Sequence, residues 1–537
     1  MLRGILNSIG VTAAGAGGTG TLYIDKTDDN YGLGEGITFH ADAEDNIALG
    51  ESALNSTTGA AIRNIGIGTE ALTAVTTGDN NIGIGFNAGL KFTTNDGNIA
   101  IGYGTLDAAD LGESNNVAIG VNAMTSVNNG TSDGTVAIGY NVMSGASTAT
   151  GATNVAIGSN AMAAGSCEAS GTIAIGSQAL YALSSGNSNT AVGHNAGLAV
   201  TSGRQNTIVG YEALKTSAAN GDNNTAIGYK ALEDMDASSD GTGDNTAIGS
   251  NACLNLTTGI TNTALGSTAM GIGVTTGAAN VAVGYYAGAD IAAGANNVLV
   301  GKEAGANIVG GAQNICIGSS AGSTITAGNE LVLIGYQAGD VIDSDTADGT
   351  VAIGWNAAGA LTSGAYNTVI GSSAGLENKL GEANIAIGYG AFNDSYTNDT
   401  TDAANDDNIF IGVNTGGGTW TAASSSTVYS CSKNVGIGSN AMAAAMSGAL
   451  YNTALGYNTH NGLTTGDYNT VLGSTAGYVL SSGTKNTVCG SYALSTSTDV
   501  DNAVAIGYNA MQAGDVTDAA DGTVAIGYEA LKALTSG

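Results

Sequence analysis

Proline is absent from the 537-residue sequence, and charged side chains make up only 10% of it. Proline has no backbone N–H to donate, so a long chain without it suits a fold in which backbone hydrogen bonds run almost everywhere. Collagen is excluded, because it needs proline and a strict Gly-X-Y period, and the 86 glycines follow no such period. The 43% apolar content argues against a disordered chain, which combines low hydrophobicity with high net charge.

Basic residues and long hydrophobic runs are also scarce. Lys and Arg number 12 against 44 Asp and Glu, which gives a formal net charge of -32. Because such a charge repels phosphate, we expect no nucleic-acid partner. No apolar stretch approaches the ~18 residues of a membrane-spanning helix, so we expect no membrane insertion.

Residues with catalytic or metal-binding chemistry form no recognisable pattern. The three histidines share no metal-ligand spacing, the acidic phrases lack EF-hand spacing, and the common hydrolase and phosphate-loop motifs are absent. The sequence therefore predicts no catalytic residue, metal or cofactor. The cysteines lie far apart without a CxxC pair, which predicts free thiols rather than disulfides. They are Cys167, Cys253, Cys316, Cys431 and Cys489.

A five-residue phrase of the type NTAIG or NVAIG recurs through the chain. Its last residue, here called the repeat glycine, occurs 27 times between Gly50 and Gly527, on average about 18 residues apart and most often 17. That period is too short for a helix pair and fits one coil of a β-solenoid with two or three short strands. We therefore predict an all-β, parallel β-solenoid of about 27 coils with a period of about 17 residues over residues 46–537. Residues 1–45 lie outside the repeat and are expected to form an attachment or cap segment.

Each repeat is numbered here from its repeat glycine, which is position 0. Positions −3 and −1 are almost always Ile, Val, Leu or Thr and share one face of a strand, so we expect them to face the solenoid interior. Position −2 is never polar. Since a strand that is apolar on both faces is buried on both, we expect position −2 to point outward into a contact with another subunit. Position +10 is often glycine, as in Gly78 and Gly466, and predicts a turn with positive φ.

Positions −2 and +4 vary together in size. Of the eight repeats with a large residue at position −2, six have glycine at position +4, whereas three of the other nineteen do. Close-packed cores require such an exchange of volume, so we predict that the two positions meet, either in one chain or across a subunit interface. The six pairs are Leu299/Gly305, Cys316/Gly322, Leu333/Gly339, Val369/Gly375, Phe410/Gly416 and Val471/Gly477.

The repeats at residues 116–120, 154–158, 224–228 and 523–527 resemble the head repeats of trimeric autotransporter adhesins (YadA-like heads), and similar phrases occur in phage tail-fibre proteins. The resemblance covers about 46–537. It implies a left-handed parallel β-roll, a rod of three chains side by side, and surface binding rather than catalysis. The period here is longer than in those adhesins, and no convincing signal peptide, heptad stalk or membrane-anchor pattern is visible.

We therefore favour a viral (phage) tail fibre or spike shaft that mediates adhesion to a host cell, located in the virion. The expected partners are two further copies of the chain, a host receptor or glycan, and another virion or fibre component at the N-terminal segment. The final coil is incomplete, from which we expect that a C-terminal tip or chaperone segment is cleaved or lies in another chain.

Three alternatives remain open at this point. The first is a secreted bacterial adhesin head at the cell surface. The second is a capsule-degrading depolymerase, which needs convergent carboxylates in one groove. The third is an ice-binding solenoid, which needs a regular threonine array that the varied TTG, TSG and SSG phrases interrupt.

Two sets of aromatic residues are candidates for stacking on sugars. One set lies in the long insertions between Gly388 and Gly438, and the other follows the repeat glycine at position +1. Tolerated surface loops and shielding of strand ends are the alternative interpretations. The candidates are Tyr396, Trp420 and Tyr429 in the insertions, and Tyr103, Tyr211, Tyr336, Trp355 and Tyr508 at position +1.

Overall fold

The computed structural model describes residues 45–57, 60–128, 132–145, 153–164, 168–216, 221–235, 243–342, 345–379, 381–393, 405–418, 431–512 and 520–534. They fall into two compact units, the first ending at Thr261 and the second beginning at Asn262. In each unit the chain winds into short coils whose strands pair in parallel, so the predicted parallel β-solenoid is confirmed. These described ranges contain no helix long and apolar enough to cross a bilayer.

Each strand has three residues and ends immediately before a repeat glycine. The strands of the first unit are β1 (Ile47–Leu49), β2 (Ile65–Ile67), β3 (Ile82–Ile84), β4 (Ile99–Ile101), β5 (Val117–Ile119), β6 (Val136–Ile138), β7 (Val155–Ile157), β8 (Ile173–Ile175), β9 (Thr190–Val192), β10 (Thr207–Val209), β11 (Thr225–Ile227) and β12 (Thr246–Ile248). Those of the second unit are β13 (Thr263–Leu265), β14 (Val281–Val283), β15 (Val298–Val300), β16 (Ile315–Ile317), β17 (Val332–Ile334), β18 (Val351–Ile353), β19 (Thr368–Ile370), β20 (Ile385–Ile387), β21 (Ile409–Ile411), β22 (Val435–Ile437), β23 (Thr453–Leu455), β24 (Thr470–Leu472), β25 (Thr487–Cys489), β26 (Val504–Ile506) and β27 (Val524–Ile526). One turn of 3-10 helix, Asp345–Ala347, lies between β17 and β18.

Neighbouring strands of a unit pair with the same repeat positions opposite each other. In β2 and β3, for example, Ile65 lies opposite Ile82 and Ile67 opposite Ile84. Because the insertions are accommodated in the turns, this register survives where the period lengthens, as between β20 and β21. Side chains at one repeat position therefore form a column along each unit.

Turns, rather than further strands, make up the rest of each coil. The sequence predicted two or three strands per coil, but the described coils each contain one three-residue strand. Left-handed residues interrupt the extended backbone at positions −5, +2 and +4, as at Asn115 (φ 60°), Asn122 (φ 55°) and Met124 (φ 54°). Each such non-glycine residue costs about 1–2 kcal/mol, which contacts with the adjoining coils offset.

The inward and outward faces of the strand are the reverse of our expectation. Position −2 points into the core, where Ala100, Ala118 and Leu299 are completely buried. Positions −3 and −1 point outward, and Ile315 and Ile317 remain 36% and 37% exposed in the single chain. The coil is narrow, so the inward strand position holds mostly Ala or Gly, and larger side chains at positions +4 and +7 fill the interior.

The predicted exchange of size between positions −2 and +4 is confirmed within the core of one chain. A Cβ on Gly305 would lie 2.5 Å from Cδ2 of Leu299, and one on Gly416 would lie 2.7 Å from Cδ1 of Phe410. The same limit on volume acts between coils. Gly288 has Ala282 at position −2 of its own coil, but a Cβ on Gly288 would lie 2.7 Å from Leu299 of the next coil. The volume is thus shared within a coil and between successive coils.

A buried asparagine ladder at position −4 holds the coils together. The backbone N–H of Asn81 donates to Oδ1 of Asn64 at 2.9 Å, and Nδ2 of Asn81 donates to the same oxygen at 3.1 Å. Nδ2 of Asn81 also donates to the carbonyl of Asn95 at 2.6 Å, across the coil. Stacked amides of this kind satisfy buried backbone groups from one coil to the next. Our reading of the sequence missed this ladder, although the first letter of the repeated phrase carries it.

Close approach of the coils favours glycine at two repeat positions. The repeat glycine Gly120 has φ 131°, and a Cβ there would lie 2.2 Å from the carbonyl oxygen of Gly139. The predicted positive φ at position +10 holds at Gly112, Gly364 and Gly448 (φ 97°, 114° and 83°), whereas Gly78 and Gly466 do not adopt it. A Cβ on Gly78 would instead lie 2.3 Å from the carbonyl oxygen of Asn95.

Candidate functional site

The outward side chains at positions −3 and −1 of all the strands form a surface that we call the outer strand face. Neither position carries a charged residue in any repeat, and position −1 is aliphatic except for Cys489. Leu265 is 46% exposed and Leu455 44% exposed in the single chain. Since the strands pair in register, the side chains at position −1 form a continuous apolar column along each unit, beside a column of Ile, Val and Thr at position −3. A contiguous exposed apolar surface of this kind marks an interaction site.

Aromatic side chains at position +1 follow the outer strand face and stack on one another. The rings of Phe86 and Tyr103 are 5.3 Å apart at an interplanar angle of 14°. The rings of Tyr211 and Tyr229 are 5.5 Å apart at an interplanar angle of 8°. Stacking of neighbouring coils covers the ring faces, so these pairs present mainly ring edges and hydroxyl groups to solvent.

The predicted site residues at position +1 are all exposed in the structure. Tyr103, Tyr211 and Tyr508 belong to stacked pairs, the last with Tyr528 at 5.6 Å. Tyr336 and Trp355 follow the successive strands β17 and β18 and expose about half of their surface. The five residues therefore share one repeat position but lie on separate coils of the two units. The other three candidates, Tyr396, Trp420 and Tyr429, lie outside the described residues.

Four charged residues beside the Tyr211–Tyr229 pair form a closed ion-pair cluster. Lys215 contacts Glu212 at 2.8 Å and Glu233 at 3.7 Å, and Lys230 contacts the same two carboxylates at 3.5 and 2.9 Å. The hydrogen bond from Lys215 is the main cause that lowers the pKa of Glu212 to about 2. Each positive charge is compensated here, so the cluster joins two coils and leaves little net charge for a ligand.

A second exposed column, at position −5, brings together residues that sequence reasoning did not select. Lys433, Tyr451, Tyr468 and Lys485 hold this position in four successive coils, β22 to β25. The rings of Tyr451 and Tyr468 are 4.9 Å apart at an interplanar angle of 5°. Nζ of Lys433 lies 5.2 Å from the centroid of the Tyr451 ring. The visible signal was the succession of KN, YN, YN and KN at the start of four consecutive phrases.

Many acidic side chains have a structural partner in the backbone of the adjoining coil. Oδ1 of Asp79 accepts the N–H of Ile62 at 2.8 Å, and Oδ1 of Asp96 accepts the N–H of Asp79 at 2.7 Å. Asp348, in one of the acidic phrases, accepts the N–H of Asn329 at 2.6 Å. In the described ranges no group of three His, Cys, Asp or Glu side chains is placed to hold a metal ion.

The cysteines that the structure describes are free thiols. Cys253, Cys316 and Cys431 are buried, and Cys489 is partly buried at position −1 of β25. Burial raises the pKa of Cys253 and of Cys316 to about 12, so both are neutral and unreactive at physiological pH. Cys167 lies outside the described residues.

The sequence matches no known protein-family profile and no curated protein. The outer strand face and the columns at positions +1 and −5 are therefore the basis for the function proposed below.

Proposed function

We propose that the chain is the subunit of a structural fibre, a side-by-side homotrimer of left-handed β-rolls that serves as a viral tail fibre or spike shaft and attaches to a host cell surface. The observation that supports this most directly is the outer strand face. It carries no charge in any repeat, is aliphatic at position −1 except for Cys489, runs along both units, and is partly exposed in the single chain.

The size of this face indicates a permanent partner. The fifteen strands of the second unit, spaced about 4.8 Å apart, make the face there about 70 Å long. With a width of about 10 Å for two outward columns, its area is on the order of 700 Å² in that unit alone. The largest apolar patch of a typical monomer is about 300–600 Å², and a stable interface covers about 800 Å² on each partner.

A further copy of the same chain fits this face best. Only a surface with the same spacing between coils can match every column over the whole length of a unit. The absence of charge at positions −3 and −1 also lets two such faces meet without burying an ion, despite the net charge of -32. The resemblance to adhesin heads and tail fibres supports three chains rather than two.

The assembly is tested by the native mass in light scattering, with and without denaturant. We expect about three times the chain mass of 52.2 kDa under native conditions and the single-chain mass in denaturant. Replacing Ile315 and Ile317 on the outer strand face by lysine should give a folded monomer with unchanged β-sheet circular dichroism. The matched control is Val309→Lys, at an exposed loop position away from this face. A wild-type monomer, or equal dissociation of the control, would refute the assembly.

Attachment is tested separately on an array of bacterial surface polysaccharides with the native protein. Binding without release of reducing sugars is the outcome expected of a fibre. Release of reducing sugars would instead indicate a depolymerase, and the absence of any binding would count against an attachment function.

A further inference from the structure

The column at position −5 of β22 to β25 is built in the same way at each of its four steps. Lys433, Tyr451, Tyr468 and Lys485 all have left-handed φ values, between 57° and 63°. The backbone N–H of each later residue donates to the preceding coil, as from Tyr468 to Leu450 at 3.0 Å. Since the backbone is the same at each step, the four side chains emerge in parallel on one side of the solenoid.

The tyrosine pair forms the centre of this column and a lysine stands at either end. Tyr451 is 43% exposed and Tyr468 54% exposed, and both lysines are exposed. Nζ of Lys433 donates to the hydroxyl of Tyr451 at 3.3 Å, which fixes one end. Three steps of about 4.8 Å separate Lys433 from Lys485, so the four side chains span about 14 Å.

These two cations differ from four other lysines of this acidic chain, which have an acidic partner. Lys215, Lys230, Lys302 and Lys532 are all ion-paired with glutamates. Within the described ranges neither Lys433 nor Lys485 forms an ion pair.

Asp407 holds position −5 in the coil before Lys433, whereas the acidic residues next to Tyr468 and in the coil after Lys485 are held by the backbone. Oδ1 of Asp467 accepts the N–H of Leu450 at 2.7 Å, and Oδ1 of Asp501 accepts the N–H of Thr484 at 2.6 Å. The column itself therefore presents two ammonium groups and two phenol hydroxyl groups, all of which can donate hydrogen bonds, beside apolar ring edges.

We infer that this column binds an anionic saccharide, a linear chain of sugars that carry carboxylates, lying along the solenoid across the four coils. The lysines pair with carboxylates at the two ends, and the tyrosines contact the sugar rings and donate to their hydroxyl groups. Nucleic acid fits less well, because its phosphates are spaced about 1.7 Å apart along the duplex and meet the repulsion of the whole acidic chain. The inference deepens the proposed attachment function and names the ligand class.

The test is calorimetric titration of the full-length native protein with oligogalacturonate and with oligosialate, and with a neutral malto-oligosaccharide for comparison. We expect at least one acidic probe to bind with an affinity that falls as salt is added, and the neutral probe not to bind. Lys485→Gln and Tyr468→Ser should each raise the Kd about tenfold or more. The matched control is Tyr366→Ser, which removes an exposed tyrosine at position −5 of another coil that has no lysine at this position in the adjoining coils.

Three results would overturn the inference: no binding of either acidic probe, equal binding of the neutral probe, or an equal loss of affinity in the Tyr366 control. Because position −5 is not part of the outer strand face, the native mass should be unchanged in every variant. A failure of binding with an intact trimer therefore refutes the saccharide site alone, whereas a monomeric wild type refutes the proposed assembly.

Discussion

A histidine in the solenoid core should make one coil sensitive to acid. His460 occupies position +4 after Gly456, where most repeats have Leu, Met or Gly, such as Met442 in the preceding coil. Its side chain is completely buried, and neither ring nitrogen has a partner at hydrogen-bond geometry. Burial lowers the pKa of His460 to about 3, and the nearby backbone of Leu480 opposes this shift only in part.

The direction of the effect follows from the two protonation states. The unfolded coil binds a proton near pH 6.5, whereas the folded coil binds it only near pH 3. The stability of this coil is therefore complete above pH 6.5 and falls as the pH decreases from 6.5 to 3. At about pH 4.5, two units below the unfolded value, the loss amounts to about 2.7 kcal/mol, or about 100-fold in the opening equilibrium.

Hydrogen exchange with mass spectrometry can follow this coil directly, because repeat proteins open locally rather than as one unit. We expect peptides that cover β23 and β24 to lose about 100-fold in protection between about pH 7.5 and pH 4.5, after correction for intrinsic exchange. In His460→Met that loss should disappear, and the variant should be as stable as the wild type or more so at neutral pH.

The matched control is His194→Ser, which removes an exposed histidine whose ring lies 5.4 Å from that of Tyr211. It should leave the pH response of β23 and β24 unchanged. If wild type and His460→Met lose the same protection on acidification, the acid sensitivity comes from other groups and the reasoning is refuted.

Three further predictions concern the packing of the coils and can be checked by urea or thermal unfolding. Gly120→Ala should lower the free energy of unfolding by at least about 3 kcal/mol, because its φ of 131° and a carbonyl oxygen 2.2 Å from the new Cβ both exclude a side chain. The control Gly171→Ala, whose Cβ meets nothing within 4 Å, should lower it by only about 1 kcal/mol. Leu299→Ala and Gly305→Leu should each destabilise the protein, but the double variant restores the arrangement of other repeats. Its loss of unfolding free energy should therefore be about 1–3 kcal/mol smaller than the sum of the two single losses. Strict additivity would contradict contact between the two positions. In the buried ladder, Nδ2 of Asn469 donates to Oδ1 of Asn452 at 3.0 Å and to the carbonyl of Gly483 at 2.8 Å, and its Oδ1 accepts the N–H of Asn486 at 3.0 Å. Asn469→Ala should therefore lower the free energy of unfolding by about 3 kcal/mol. A loss below about 0.5 kcal/mol, typical of a surface substitution, would contradict the ladder.

The sequence by itself determined the fold class, the place of the strand that precedes each repeat glycine and the pairing of large with small core residues, but not that each described coil has only this one strand. Repetition made this possible, because 27 copies of one phrase show which positions vary and which do not. The exchange between Leu299 and Gly305 could be recognised before any coordinates, since two side chains that share a fixed volume must vary together.

Which face of the strand points inward was decided only by the tertiary structure. Ile315, Cys316 and Ile317 are all apolar, so alternation in the sequence cannot distinguish the core side from the outer side. The width of the coil makes that choice: left-handed residues at positions −5, +2 and +4 close the chain tightly, and the interior admits the single inward residue of each strand.

The side-chain columns likewise depend on the stacking of the coils. Lys433 and Lys485 are 52 residues apart in sequence and become members of one column only because each coil advances by a single strand spacing. The three coils between them advance by 18, 17 and 17 residues, and the strands keep the same register throughout. The sequence supplies the residue at each position, and the parallel hydrogen bonds between coils bring equal positions together in space.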